Sequence, residues 1–322
     1  MSRPRRARRL LLALAAALAM LPAAPARAWD DVGHMPVASI AWRRLSPTAR
    51  ARAVALLRAA PPDAGLAQLR PNSGGPEARD RALFARAATW PDLVKDRRDM
   101  ARVRRYNHSS WHYVNQYWRT DATGNAVAVP ERQPEPDNAA ERIAALAAAL
   151  RDARRPDAER AVDLAWLLHL VGDLHQPLHA SSRVTAQSPK GDRGGNDVRV
   201  GSTTLHALWD NALDRSPGRQ PGRRGGRPQG EDAKLARAET WAAQLPASYP
   251  DARWAAWIAD TVPMRWAAES LILAQRDVYP GVVDSMPITP AYQAQVRRVS
   301  DPQVALAGYR LAALLERALV PR

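Results

Sequence analysis

Apolar residues recur at helical spacing through most of this chain, in stretches rich in Ala, Leu, Arg and Glu, all good helix formers. The pattern predicts helices over Thr48–Ala60 and over 77–90, 137–154, 157–176, 206–214, 231–244, 251–278 and 302–318. Ser46-Pro47 reads as an N-cap followed by proline at the first helical position, which sets the start of the first of these. Two segments instead look extended. One is Trp111–Tyr117; the other is Asp197–Leu205, where Gly201-Ser202 between two β-favouring runs predicts a hairpin. The expected fold is mainly α, a single domain of many helices with a short β-hairpin. Residues 180–196 and 215–230 are the long loops, and the second carries five arginines and no acid. Its glycines and prolines suit either a segment that steers a phosphate backbone or a solvated insertion.

The first apolar run has a different character. Met1-Ser-Arg-Pro-Arg-Arg-Ala-Arg-Arg is followed by an apolar stretch from Leu10 to Leu21 and then by Ala26-Arg27-Ala28. That order is a secretory signal peptide over residues 1–28, too short and wrongly flanked for a spanning helix. Cleavage after Ala28 makes Trp29 the mature N-terminus, leaves 29–322 as one domain, and implies export to the periplasm or the medium. A monomer is expected, with no membrane span.

Composition narrows the chemistry. With 47 Lys+Arg against 32 Asp+Glu the chain is strongly basic. The leader holds six of the arginines and no acid, so the remainder stays basic, a charge that favours polyanions such as nucleic acid. There is no cysteine, so neither disulfides nor zinc–thiolate sites are available. Any metal must be held by histidine, carboxylate and the chain terminus.

The stretch His169-Leu-Val-Gly-Asp173-Leu-His175-Gln-Pro-Leu-His179 places three of the seven histidines and a carboxylate in eleven residues. On a helix His169 and Asp173 lie one turn apart on one face, within reach of one cation. Pro177 ends or kinks that helix near Gln176 and re-aims His179, which suits a second metal close to the first. The competing reading is a buried helix whose histidines are hydrogen-bonded core residues. His206 and Asp210 repeat the i, i+4 spacing, and Trp29 gains a free α-amino group whose nitrogen and carbonyl oxygen can chelate, with His34 five residues on. Imidazole and carboxylate without sulfur favour zinc, though other divalent transition metals fit the same donors.

Six motifs then occur in one order: Trp29-Asp-Asp-Val-Gly33-His34, Trp90-Pro-Asp92, Trp111-His112-Tyr-Val-Asn115, His169 to His179, Gly194-Gly-Asn-Asp197 and His206-x3-Asp210. In this the chain resembles the S1/P1 nucleases, secreted zinc enzymes similar in fold and cluster to the zinc-dependent phospholipases C. The resemblance implies three zinc ions. Asp92, His112, His169 and Asp173 would hold the first. Asp173 as a bridge, His34 and the backbone nitrogen and oxygen of Trp29 would hold the second. His179, His206 and Asp210 would hold the third.

It also implies a reaction, hydrolysis of single-stranded DNA and RNA to 5′-phosphorylated products, with 3′-nucleotidase activity on nucleotides as a companion. Zincs bridged by Asp173 would generate hydroxide near neutral pH, and the third would stabilise the departing 3′-oxygen. Lys95 stands where fungal members carry arginine, and supplies charge without the bidentate fork. Asn115 stands where those members carry an aspartate that bonds the base, and an amide can both donate and accept. Tyr113 is either the aromatic on which a base stacks or a core residue. His175 belongs to the motif without being a ligand, His108 fits no ligand position, and most of the eleven tryptophans, Trp166 and Trp254 among them, should pack helices together. The rivals are a phospholipase C, opposed by the short Trp29–His34 spacing, Asp210 in place of glutamate and Gly194-Gly-Asn, and a non-catalytic cationic zinc protein that binds nucleic acid.

Overall fold

A computed structural model describes residues 31–213 and 230–320. The expected signal peptide over 1–28, Trp29 and the arginine-rich stretch 215–229 lie outside the described residues. The fold is mainly α, as the periodicity predicts. Helices α1 (Asp31–Arg44), α2 (Pro47–Arg58), α3 (Pro76–Ala87), α4 (Trp90–Leu93) and α5 (Met100–Tyr106) precede a three-stranded sheet of β1 (Tyr117–Thr120), β2 (Ala126–Ala128) and β3 (Ser182–Arg183). Between β2 and β3 run α6 (Ala139–Arg151) and α7 (Asp157–Leu174). After them come the hairpin β4 (Arg199–Val200) and β5 (Thr203–Thr204), then α8 (Leu205–Asp210), α9 (Glu231–Ser248), α10 (Ala255–Ala259), α11 (Pro263–Leu273) and α12 (Pro290–Leu319).

The middle of the molecule is α7. It packs on α6, α2, α12, α1, α4 and α11, and from Leu164 to Leu174 every residue is buried. A helix covered on all sides must be apolar all round, and the few polar residues that interrupt it need partners. Its companion α1 is buried from His34 to Trp42 and lies against α12 and α9. No helix among the described residues is long and apolar enough to cross a membrane.

Several expected boundaries are corrected. The segment 251–278 is not one helix. Pro263 starts α11 at its N-terminus, and the preceding residues form a 3₁₀ turn and the five-residue α10, because the residue before a proline is pushed out of the helical region. Conversely α12 begins at Pro290 and runs through Pro302, twelve residues before the expected start. Burial of Val296, Val299 and Val304 on either side outweighs the roughly 3 kcal/mol that an interior proline costs. Of Trp111–Tyr117, the first two residues belong to the 3₁₀ turn Ser109–His112, Tyr113 is extended, and the strand starts at Tyr117. Helix α1 has no counterpart in the expected elements. The 199–204 hairpin forms as predicted, with Gly201 at its turn.

α7 stops where the sequence says it should. Its last residue is Leu174, and Pro177–Ala180 forms a separate 3₁₀ turn. Between them His175 is buried. Its Nδ1–H donates to Val171 O at 2.7 Å, which leaves Nε2 to accept from Arg310 Nη1 at 3.0 Å. Arg310, 1% exposed on α12, also makes a two-pronged pair with Glu269 on α11, at 2.7 and 3.0 Å. Helices α7, α11 and α12 are thereby joined at the point where the chain turns toward His179. Burial and the Arg310 charge push the His175 pKa down to about 3.

That shift has a definite sign. An unfolded histidine takes a proton near pH 6.5 whereas folded His175 does not until about pH 3, so its contribution is complete above 6.5 and is lost as pH falls toward 3. In metal-free protein, denaturant titrations between pH 7 and 4 should show stability falling with decreasing pH. His175→Gln should flatten that slope by about one proton. Equal slopes for the two proteins would show that His175 titrates normally.

Candidate metal centre

The donors come from four directions and α7 supplies the hub. Asp173, fully buried, directs Oδ2 at His112 Nδ1 (2.9 Å) and His169 Nε2 (3.2 Å), and Oδ1 at His34 Nε2 (3.3 Å). Its two oxygens therefore serve different groups. Three clusters of mutually close donors result: Asp92, His112 and His169; His34, His169 and Asp173; and His179, His206 and Asp210. Every side chain expected as a ligand from 31 onward falls in one of them, so the structure brings together all eight of those residues. It differs from the expectation in one respect: His169 adjoins His34 as well as His112, with the His34 and His169 rings stacked at 3.8 Å.

Local structure explains how each donor is held. His34 reaches Asp173 from α1 because the residue before Asp173 is Gly172, where a Cβ would stand 2.9 Å from His34 Nδ1. Asp92 lies on the short α4, and Ala88 just before it accepts His169 Nδ1–H at 2.8 Å. His112 and His179 are laced through their backbones: Val114 N donates to His179 O (2.7 Å), and His179 Nδ1–H donates to His112 O (2.6 Å). The parallel pairing of Tyr117 with Ser182 continues that ladder, so the small sheet holds these two histidines side by side. On α8, Thr204 caps the helix, His206 Nδ1–H donates to Gly194 O (2.8 Å), and Asp210 lies one turn on, its Oδ2 3.4 Å from His206 Nε2.

Whether metal fits can be judged from these contacts. His169, His179 and His206 each give Nδ1–H to a backbone carbonyl, which turns Nε2 toward the cluster, where a metal would take the place of a proton. Buried polar atoms without a hydrogen-bond partner include both His34 nitrogens, Asp173 Oδ1, His179 Nε2 and Asp210 Oδ2. Orphaned donors concentrated in one place point to a ligand, since buried polar groups are otherwise satisfied. Spacing agrees too: tetrahedral zinc at about 2.0–2.1 Å sets its ligands roughly 3.3 Å apart. His169–Asp173, His34–Asp173 and His206–Asp210 lie at 3.2–3.4 Å, while His112–Asp173 is closer at 2.9 Å.

Charge crowding sets the titration. Burial pushes the Asp173 carboxyl up, but His169, His179 and His112 outweigh it and hold it well below the usual range. Burial and the neighbouring His169 force His34 well down, while burial and Lys95 lower His112 to about 4. Against burial, Asp173 and Asp210 raise His179 to about 9. Several imidazoles around shared carboxylates cannot all be charged at once.

Beside the clusters opens a cavity of about 720 Å³, lined among others by Lys95, Arg97, Tyr113, Asn115, Arg193 and His206. Lys95 Nζ lies 2.6 Å from Asp92 Oδ1. Tyr113, 38% exposed, faces the cavity and is not a core residue. His175 stands apart from the clusters in its pair with Arg310. His108 stacks on Trp111 at 3.9 Å, and Trp166 is buried against Trp90, Trp111 and His112.

Three contributors went unassigned in the sequence. Gln176 donates to Asp210 Oδ1 (2.7 Å) while its Oε1 accepts from Leu178 N (2.6 Å), tying the motif's turn to α8. Gly194, at φ 62°, lies so close to the turn that a Cβ would meet Leu178 O at 2.3 Å. Its signal was the Gly-Gly pair in a motif already noticed. Glu135, which accepts from Asn115, had no signal at all.

Comparison with known proteins agrees with this geometry. Endonuclease 2 of Arabidopsis thaliana is 25% identical over 317 residues, covering 92% of this chain and 93% of that protein. Endonuclease 4 of the same plant is 27% identical over 160 residues, 48% of this chain and about half (49%) of that protein's length. The family model for S1/P1 nuclease matches residues 29–320, nearly the whole chain, and the protein belongs to the S1/P1 nuclease family.

Proposed function

We propose that this protein is an exported, zinc-dependent endonuclease that hydrolyses single-stranded DNA and RNA to 5′-phosphorylated products, with accompanying 3′-nucleotidase activity. The observation that carries the reading is the juxtaposition of three His/Asp clusters with a cationic cavity that exposes a tyrosine. Zinc in those clusters would be held by Asp92, His112, His169 and Asp173; by Asp173, His34 and the Trp29 terminus; and by His179, His206 and Asp210. When bound, zinc supplies Lewis acidity, lowering the pKa of water and offsetting phosphate charge.

The chain's own residues divide the remaining work. Lys95 at the cavity wall, joined to Asp92, meets the anionic phosphodiester. Arg97 and Arg193 on the rim extend that field along a strand. Tyr113 offers a face on which any base stacks, which typically contributes about 1–3 kcal/mol without sequence preference. Asn115 is the polar group beside it that meets the base edge.

Purified protein beginning at Trp29 should release 5′-phosphorylated nucleotides from single-stranded DNA and RNA, and a zinc chelator should abolish the release. Faster hydrolysis of phosphatidylcholine under matched conditions would transfer the site to the phospholipases. Asp173→Asn should remove zinc and lower kcat/KM by more than the roughly 10–100-fold that loss of an outer partner costs. Gln176→Ala, which releases Asp210 and the Leu178 N–H but removes no ligand, should stay within that range, with kinetics and metal analysis run on the same preparations. Unchanged hydrolysis in zinc-loaded Asp173→Asn would overturn the bridged arrangement.

A further inference from the structure

Asn115, which lines the cavity, is held from behind by a carboxylate whose chemistry restricts what the amide can recognise. Asn115 Nδ2 donates to Glu135 Oε2 at 3.0 Å, and Tyr117 OH donates to Glu135 Oε1 at 2.5 Å. A carboxylate accepts only, so of the two ends of the Asn115 amide it can hold just the nitrogen. The carbonyl oxygen diverges from that nitrogen across the planar amide and remains for the cavity that Asn115 lines. Burial raises the Glu135 carboxyl, but the hydrogen bonds from Tyr117 and Asn115 and the nearby Arg132 outweigh it and keep the group ionised at neutral pH.

Glu135 is itself held in place. Pro134 and Pro136 flank it and restrict its backbone. Its carbonyl accepts from Asn138 Nδ2 at 3.0 Å, and Asn138 caps α6. The next residue, Ala139, donates its N–H to Tyr113 O at 3.1 Å, so the loop is tied to the stacking residue as well as to Asn115. Arg132 lies over the Tyr117 ring at 4.7 Å and closes the far side.

We propose that Glu135 is a positioning residue that sets base preference, by holding the Asn115 amide so that its oxygen alone faces the base; this rests on the nuclease reading above. An acceptor-only contact favours base edges with adjacent N–H donors. Guanine offers N1–H and N2–H₂ side by side, adenine and cytosine offer one amino group beside an acceptor nitrogen, and uracil offers one N–H between two carbonyls that repel the incoming oxygen. The site therefore ranks guanine first and uracil or thymine last. A neutral hydrogen bond at a partly exposed position should separate the extremes by about fivefold.

The test uses zinc-loaded enzyme and two sets of dinucleoside monophosphates, GpA, ApA, CpA and UpA and their reversed counterparts, so that bases on both sides of the scissile phosphate are sampled. Within the set that reads the pocket, the wild type should favour guanine over uracil by about fivefold, chiefly through KM. Glu135→Lys, whose ammonium donates only, should capture the Asn115 oxygen, turn the amide nitrogen to the cavity and reverse the ranking. Glu135→Gln should bring the ratio near one. Exchanging the roles with Asn115→Asp and Glu135→Gln together puts the donor on position 135 and an acceptor on position 115, and should restore the guanine preference. Should Glu135→Lys not fold, judged by circular dichroism and zinc content, the Glu135→Gln and exchange proteins decide the matter alone. An unchanged base ratio, or a loss equal for every dinucleotide, overturns the role of Glu135 and leaves the nuclease reading standing. No hydrolysis of any dinucleotide by the wild type overturns both.

Discussion

Everything in this site is organised around one buried carboxylate. Asp173 lies in the last turn of α7, in the part from Leu164 onward where every residue is buried, and an isolated charge there would be driven to neutralise. It stays ionised because imidazoles converge on both of its oxygens from α1, from the turn before β1 and from its own helix. The cost is mutual repulsion among those histidines. A cation relieves it better than protons can, since one ion satisfies several lone pairs at once. The same acidity that would protonate the imidazoles would also expel metal.

Such a hub demands that its surroundings be built to fit. Gly172 weakens the interior of α7 by about 1 kcal/mol relative to alanine, yet lets His34 come close. The break at Pro177 sacrifices further helix and gains a turn from which His179 faces α8. Gln176 spans from that turn to Asp210, and the His175–Arg310–Glu269 chain of contacts ties the turn to two other helices. Features that look like local defects in a helix are therefore consistent with one another once the three clusters are considered together.

The parts of the fold legible in the sequence were those governed by local rules. Ala-rich helices with clear caps, the hairpin at Gly201 and the stop at Pro177 all follow from neighbours in the chain. Two of the failures share a cause, tertiary packing that overrides local preference. Helix α1 contains Gly33, Pro36 and Ser39, poor helix formers that only its burial against α9 and α12 sustains. Pro302 was expected to lie at the edge of a helix and instead sits inside one, because the packing around it is continuous. Val262-Pro263 did the reverse, interrupting a segment whose apolar pattern ran on.

The sequence by itself determined which donors exist, their order along the chain and, with no cysteine, the kind of metal they suit, because donor chemistry belongs to the side chain and the i, i+4 spacing to the helix. It also carried the motifs that mark the family. Only the tertiary structure decided which atom of each donor faces the cluster, since backbone carbonyls at 88, 112 and 194, each far along the chain from the histidine it accepts from, turn those rings. The same holds for Asn115. As a residue it can donate or accept with equal ease, and a carboxylate twenty residues away in the chain, brought alongside by folding, leaves it only one of the two.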